Sequence, residues 1–295
     1  MKLITIIISL FSLLSSCSFD SMFLYPTKIP AEAKNITINS PDDTINIKID
    51  STNFQPYFLD GNKDTLDLGY TIESVIFKSE NGNMLNGWMM KSKSQNPETT
   101  LLHFHGNAGS IIDQHRSLVP LLDFGFQVFI IDYSGFGFSE GKATRKNVLI
   151  DGNSSLNYLV SRHDIKNTKL VVYGQSLGGH LAAVVAEQNE SKIDGVVIEG
   201  AFSSHKAIGK ETAGFFGKVM VKEIYSGVSS IQEFNKPVLV IHSNEDETVP
   251  ISMGREIYES ANDPKMFYEI DGCHICGPSL YAKEIAEKIK GMLKR

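Results

Sequence analysis

The sequence has no cluster of basic residues and no stretch in which basic and aromatic side chains interleave, so nothing in it is suited to following a nucleic-acid backbone. Lys and Arg number 28 against 34 Asp and Glu, a formal net charge of −6. Internal repeats and low-complexity tracts are missing, and no apolar run reaches the ~20 residues that a bilayer-spanning helix needs. Cysteine is scarce, with only Cys17, Cys273 and Cys276. What remains is 295 residues, 42% hydrophobic and 21% charged, ordinary for one large α/β domain.

The N-terminus departs from this plain composition. Met1-Lys2 precedes the apolar stretch from Leu3 to Leu14, and Ser15-Ser16-Cys17 follows. One positive charge, a short apolar core and small residues before a cut describe a secretory signal. Leu14-Ser-Ser-Cys17 resembles a bacterial lipobox, which implies removal of residues 1–16 and diacylation of Cys17. A plain signal peptide with a coincidental cysteine is the alternative. With Ser18 after the cysteine, resemblance to known lipoproteins implies a cell-envelope protein, on the outer membrane facing the periplasm where the cell has two membranes. Residues 17–65 read as a lipid-anchored tether and irregular pre-domain segment. Within it, Thr44–Asp50 alternates in the manner of an edge strand.

From residue 66 to 295 the pattern turns regular. Thr71–Lys78 and Leu85–Lys91 flank an Asn-Gly turn and read as a hairpin. Apolar strands follow at 100–104, 127–132, 170–173, 193–199, 237–242 and 265–270. Helical stretches lie between them at 111–123 and 144–161, after 176, and at the end over 279–294. Strands alternating with helices predict a mostly parallel sheet covered on both faces, with the hairpin as an antiparallel N-terminal edge. Ligands bind such sheets beyond the carboxyl ends of the strands, so the loops after Phe104, Asp132, Tyr173, Glu199, His242 and Ile270 converge on one site.

One of those loops is Gly174-Gln-Ser-Leu-Gly178. A G-x-S-x-G pattern is weak by itself, but here a β-branched strand precedes it and an Ala/Leu/Val-rich helix follows. The turn lifts the Ser176 hydroxyl clear of the backbone, beside free N–H groups at a helix start. Asp246 follows the strand ending at His242, and His274 follows the strand ending at Ile270. Ser, Asp and His in that chain order match the α/β-hydrolase triad: Ser176 as nucleophile, His274 as general base and then acid, Asp246 as the acid that orients it. The backbone N–H groups of Leu177 and Asn107 are the expected oxyanion donors. His105 reads as a hydrogen-bonded supporting residue, His103 and His242 as packing residues at strand ends, and Tyr133 as part of the pocket.

The stretches His103-Phe-His-Gly-Asn-Ala-Gly109, Asp132–Gly141, Gly174–Gly179, Glu199–Ser204 and Asp246-Glu-Thr-Val-Pro250 resemble the α/β-hydrolase superfamily. The resemblance is strongest to short-capped membrane-associated serine hydrolases, similar to depalmitoylases and serine aminopeptidases. Phe23-Leu-Tyr-Pro26 is similar to that group's pre-domain segment. The group's pattern puts the acid at Asp246 rather than Glu245 or Glu247. Two departures are Ser243, where Gly is usual, and the cysteines bracketing His274. The resemblance implies an acylated or other small substrate, an acyl-enzyme intermediate, a membrane partner through the anchor, no cofactor and no metal. It implies a small cap over about 201–236, whose Phe215, Phe216, Val219 and Met220 either wall an acyl pocket or pack on the sheet. Ester or thioester cleavage is the leading reading. A peptidase or amidase with the same triad and a non-catalytic lipoprotein of the same fold are the alternatives. Cys273 and Cys276 are close enough either to bridge or to stand as free thiols, and they lie too near His274 in sequence to form a metal site with it easily.

Overall fold

The computed structural model describes residues 20–39 and 44–294, so the signal segment and Cys17 lie outside the described residues. Four short strands come first: β1 (Tyr25–Pro26), β2 (Asn35–Asn39), β3 (Thr44–Asp50) and β4 (Gln55–Leu59). The hairpin is β5 (Tyr70–Lys78) and β6 (Met84–Ser92). Then come β7 (Thr99–Phe104), β8 (Ala108–Gly109), β9 (Phe126–Ile131), β10 (Lys169–Gln175), β11 (Gly195–Glu199), β12 (Val238–Ser243) and β13 (Lys265–Ile270).

Eight of these form one sheet, in the order β13-β12-β11-β10-β7-β9-β6-β5. The pairs β5–β6 and β6–β9 are antiparallel and the others parallel, so β6 alone runs against the rest. This is the doubly wound sheet with an antiparallel edge that the alternation of elements predicts. Its central strands β7, β9, β10, β11 and β12 are buried almost throughout because both faces are covered: in β10, Leu170 and Val172 enter one core while Val171 and Tyr173 enter the other. The first core also receives Leu181 and Ala182 of the helix Leu177–Gln188, and Val148 and Leu156 of the helix Arg145–Ser161. The second receives Ile285 and Ile289 of the closing helix Gly277–Met292.

The helix expected over 111–123 is one α-turn, Ile111–Gln114, continued by a 3-10 run over His115–Phe124. Pro120 lies inside that run; it has no N–H to donate and its ring disfavours α geometry at the residue before it. The segment read as an irregular tether is also more ordered than expected. Strand β3 is the middle strand of an antiparallel sheet β2-β3-β4, not an edge. Its Ile47 and Ile49, with Phe58 of β4, are buried in the same core as Trp88 and Met90 of β6. Upstream, β1 pairs in parallel with β8, and Tyr25 N–H donates to Asn107 O at 2.8 Å. No helix among the described residues is long and apolar enough to cross a membrane.

The cap consists of the helix His205–Met220 and the short helix Gly227–Ile231. Ala213 (φ −133°) and Gly214 (φ 61°) break the longer one into an inner and an outer piece. Phe215, Phe216, Val219 and Met220 neither line the cavity that holds Ser176 nor pack on the sheet: all four are exposed. The left-handed turn at Gly214 rotates them outward, and apolar spacing alone carries no sign of such a turn.

Candidate active site

The sheet reverses its winding between β7 and β10, because the chain leaves β7 for β9 on one side and returns to β10 on the other. The loops after these two neighbours therefore part at one point above the sheet, where open α/β sheets bind ligands. Ser176 stands there with φ 56° and ψ −118°, a strained conformation for a residue with a side chain. Close packing holds the strain. A Cβ on Gly174 would lie 2.0 Å from Gly178 O, and one on Gly178 would lie 1.9 Å from Phe104 O. Ser176 N–H donates to Glu199 O at 2.8 Å, and the helix Leu177–Gln188 begins at the next residue.

Ser176, His274 and Asp246, 98 and 28 residues apart in the chain, form one line of hydrogen bonds. Ser176 Oγ lies 2.9 Å from His274 Nε2, and His274 Nδ1 lies 2.6 Å from Asp246 Oδ2. The Asp246 side chain is fully buried, whereas that of His274 keeps 19% of its exposure. Burial alone would raise the pKa of Asp246. The hydrogen bonds from His242, from His274 and from the Val249 N–H more than offset it and hold the carboxyl well below the usual carboxylate range. The N–H groups of Thr248 and Val249 each donate to its Oδ1 at 2.8 Å, closing the loop around the charge. A hydroxyl against an imidazole that an ionised carboxylate orients is the arrangement that activates serine. Of the neighbouring acids, Glu245 is turned to the Gly272 N–H at 2.8 Å and Glu247 is exposed.

A second set of residues, without a role in the sequence reading, anchors the histidine loop. Glu199 is fully buried at the end of β11. Its Oε2 accepts from Tyr173 OH at 2.8 Å and from Gln175 Nε2 at 2.7 Å, and its Oε1 accepts from Gly277 N–H at 2.8 Å. Burial raises its pKa, against these three donors. His103 Nε2 closes the chain on Gln175 Oε1 at 3.1 Å, so His103 is a hydrogen-bonded residue rather than mere packing. The available signal was an acid at the carboxyl end of an otherwise apolar strand. Ser243, standing where glycine is usual, links the two loops: its Oγ donates to Gly272 O and accepts from Glu245 N–H. His242 likewise does more than pack, with Nε2 at 2.9 Å from Val249 O and 3.3 Å from Asp246 Oδ2.

Beside Ser176 lies a pocket of about 270 Å³. Gly106, Asn107 and Leu177 line one side, and Phe23, Phe202, Ile208, Val249 and Ile275 give it a largely apolar wall. The two residues expected to donate to an oxyanion, Asn107 and Leu177, thus border the same cavity as the serine. The loop carrying Asn107 is fixed by its carbonyls: Gly106 O faces His105 Nδ1 at 2.8 Å, and Asn107 O accepts from Tyr25 N–H. Burial lowers the pKa of His105 to about 4, so it is neutral and suited to that supporting bond. Tyr133 does not line the pocket; its buried hydroxyl donates to His105 O at 3.0 Å beneath the loop.

Cys273 and Cys276 are free thiols. Cys276 Sγ donates to Cys273 O at 3.0 Å, and burial raises its pKa to about 12. One group among the described residues, His180, His205 and Glu223 beneath the cap, is spaced to hold a metal ion. Hydrogen bonds already account for most of its donors. His180 accepts from the Gly227 N–H through Nδ1 and donates from Nε2 to Tyr225 O, and His205 Nδ1 meets Glu223 Oε1 at 3.0 Å.

A doubly wound sheet carrying a serine on a strained strand-to-helix turn, with a histidine and an acid in later loops, defines an α/β hydrolase. The chain belongs to the alpha/beta hydrolase fold family, whose model matches residues 99–224. It is 34% identical over 213 residues to protein YfhR of Escherichia coli O157:H7, covering 70% of this chain and 74% of that one. It is also 34% identical over 169 residues to protein bem46 of Schizosaccharomyces pombe, covering 55% and 56%. Among solved structures, the esterase Pf2001 of Pyrococcus furiosus superposes with a TM-score of 0.63 at 21% identity, over 78% of this chain and 94% of that one. Est1E of Butyrivibrio proteoclasticus, solved with ferulic acid, gives 0.61 at 18%, over 75% and 100%.

Proposed function

We propose that this chain is a lipid-anchored serine hydrolase that cleaves carboxylic ester or thioester bonds through an acyl-enzyme. The observation that carries the reading is the unbroken line from Ser176 Oγ to His274 Nε2 and from His274 Nδ1 to Asp246. In this reading Ser176 Oγ attacks the substrate carbonyl while His274 takes its proton, and Asp246 holds the ring and stabilises the imidazolium. The oxyanion is met by the N–H groups of Leu177 and Asn107. His274 then gives its proton to the departing alcohol or thiol. A water molecule, deprotonated by the same ring, hydrolyses the acyl-Ser176 bond and releases the acid.

The apolar wall of the pocket suits an acyl chain better than a charged or polar peptide, which favours ester or thioester over amide substrates. The esterase neighbours support the same side of the choice. Fluorophosphonate labelling, followed by hydrolysis of p-nitrophenyl esters of graded chain length beside matched p-nitroanilides, tests it. Labelling with faster turnover of the esters is expected. No labelling of folded protein overturns the serine-hydrolase reading, and faster anilide turnover moves it to an amidase.

The anchor is a separate part of the proposal and rests on the lipobox-like Leu14-Ser-Ser-Cys17. Cys17→Ser is expected to leave the precursor uncleaved and without the mass of a diacylglyceryl group, whose two chains are what stable anchoring requires. Mass spectrometry finding an unmodified N-terminus beyond Cys17 would remove the anchor and leave the hydrolase intact.

A further inference from the structure

The outer piece of the cap carries a group of apolar side chains that neither core nor the Ser176 pocket uses. Phe215 and Phe216 keep 75% and 78% of their exposure, Val219 61% and Met220 42%. This spacing puts all four on one side of a helix. The other side is packed: Gly217 is buried against Gly209, where a Cβ would lie 1.9 Å from the Gly209 carbonyl oxygen, and Val221 is buried. The outer piece thus folds back on the inner piece and presents its apolar side outward. Single exposed apolar residues are commonplace on protein surfaces, but four contiguous ones mark an interaction surface.

Three observations say what meets it. The first is where the N-terminal chain enters the body. Asp20 pairs with Arg145 Nε at 3.0 Å, and Arg145 Nη1 donates to Lys222 O at 2.9 Å, two residues past Met220. Cys17 precedes Asp20 by three residues and so lies within about 11 Å of it even in an extended chain. A lipid on Cys17 therefore brings a bilayer to the foot of the cap. The second is charge: residues 205–223 carry four lysines and two glutamates in a chain whose net charge is −6. An excess of cations beside apolar side chains suits an anionic lipid surface and opposes pairing of this patch with a second copy. The third is the pocket, whose lining includes Ile208 and Thr212 of the inner piece and Met22 and Tyr25 of the entering chain. Both elements that would touch the membrane therefore also border the pocket.

We propose that Phe215, Phe216, Val219 and Met220 insert into the anionic bilayer that carries the Cys17 anchor and turn the mouth of the Ser176 pocket toward it. The proposal rests on the anchored-hydrolase reading and extends it: the substrates are acyl groups presented at the membrane surface.

The native chain has one tryptophan, Trp88, which is fully buried and so hidden from a membrane quencher. Phe216→Trp introduces an indole at the cap. The full-length lipoprotein is mixed with phosphatidylglycerol–phosphatidylethanolamine vesicles, with and without brominated acyl chains. Vesicle-bound Phe216→Trp is expected to shift to the blue and lose at least about half of the added emission to bromine, an insertion depth typical of interfacial helices, while the parent stays unquenched. Protein that floats with vesicles but keeps an unquenched indole overturns the insertion and spares the anchor. Protein that does not float overturns both, while fluorophosphonate labelling still reports on the hydrolase separately. A blue-shifted indole without vesicles, together with dimer in sedimentation, assigns the patch to a second copy and overturns the membrane. In a second arm, Phe215→Ser/Phe216→Ser is expected to hydrolyse a soluble short-chain ester at the parent rate. On long-chain acyl esters held in vesicles it should lose about tenfold or more, as interfacial binding weakens with lost apolar area. Equal rates on both substrates overturn the proposal.

Discussion

Ser176→Ala is expected to lower kcat for ester hydrolysis by up to about 10⁶-fold, and His274→Ala by a similar factor, since residues acting as a unit lose most of their effect together. The geometry explains why neither can be replaced from nearby. His274 Nε2 is the imidazole nitrogen in contact with Ser176 Oγ, while the rings of His103, His105 and His242 are committed to Gln175, Gly106 and Val249. Asp246→Asn is expected to cost about 10⁴-fold, because an amide opposite Nδ1 favours the wrong tautomer and brings no charge to meet the imidazolium. It should also cost stability above acid pH. The carboxyl of Asp246 is held below its unfolded value, so its contribution is complete above that value and fades only as pH falls through the lower folded one. Burst titration with a fluorophosphonate beside steady-state rates checks all three variants. Folded Ser176→Ala that still labels or turns over would remove the assignment.

Gly178→Ala is expected to damage fold and activity at once. The added methyl would sit 1.9 Å from Phe104 O, 2.5 Å from Phe104 C and 2.7 Å from His105 O. All three atoms are backbone, at the end of a central strand, and cannot swing aside as a flexible side chain would. Overpacking of this kind costs about 3 kcal/mol or more, a fall in Tm of roughly 5 °C or more for a domain of this size. Any relief must push the loop carrying Asn107 away from Ser176, so kcat should fall even in the fraction that folds. Gly291→Ala is the contrast, because nothing lies within 4 Å of its Cβ and it belongs to the closing helix. There, alanine should raise stability by roughly 0.5–1 kcal/mol. Thermal unfolding of the pair checks the argument, and a Gly178→Ala protein as stable as its parent would contradict it.

Much of the fold was legible in the chain because its signals are local. Apolar strands such as Val171–Tyr173 can be read without their neighbours, and strands alternating with helices leave few ways to wind a sheet. The candidate site was legible for a related reason. In such a sheet every loop after a parallel strand faces the same edge, so the order of strands brings Ser176, Asp246 and His274 together although they are far apart in sequence. The tertiary structure decided what depends on contacts between distant segments. Alternation in Thr44–Asp50 defines its two faces but not how many strands flank it, and Ile47 and Ile49 are buried by a partner sheet. Glu199 is an acid at a strand end until Tyr173, Gln175 and Gly277 surround it and make it the support of the histidine loop. Cys273 and Cys276 are close enough in sequence to bridge, and the turn between them leaves both thiols free. The cap is the sharpest case: apolar spacing at 215–220 is the same whether that face points in or out, and the left-handed turn at Gly214 sends it outward.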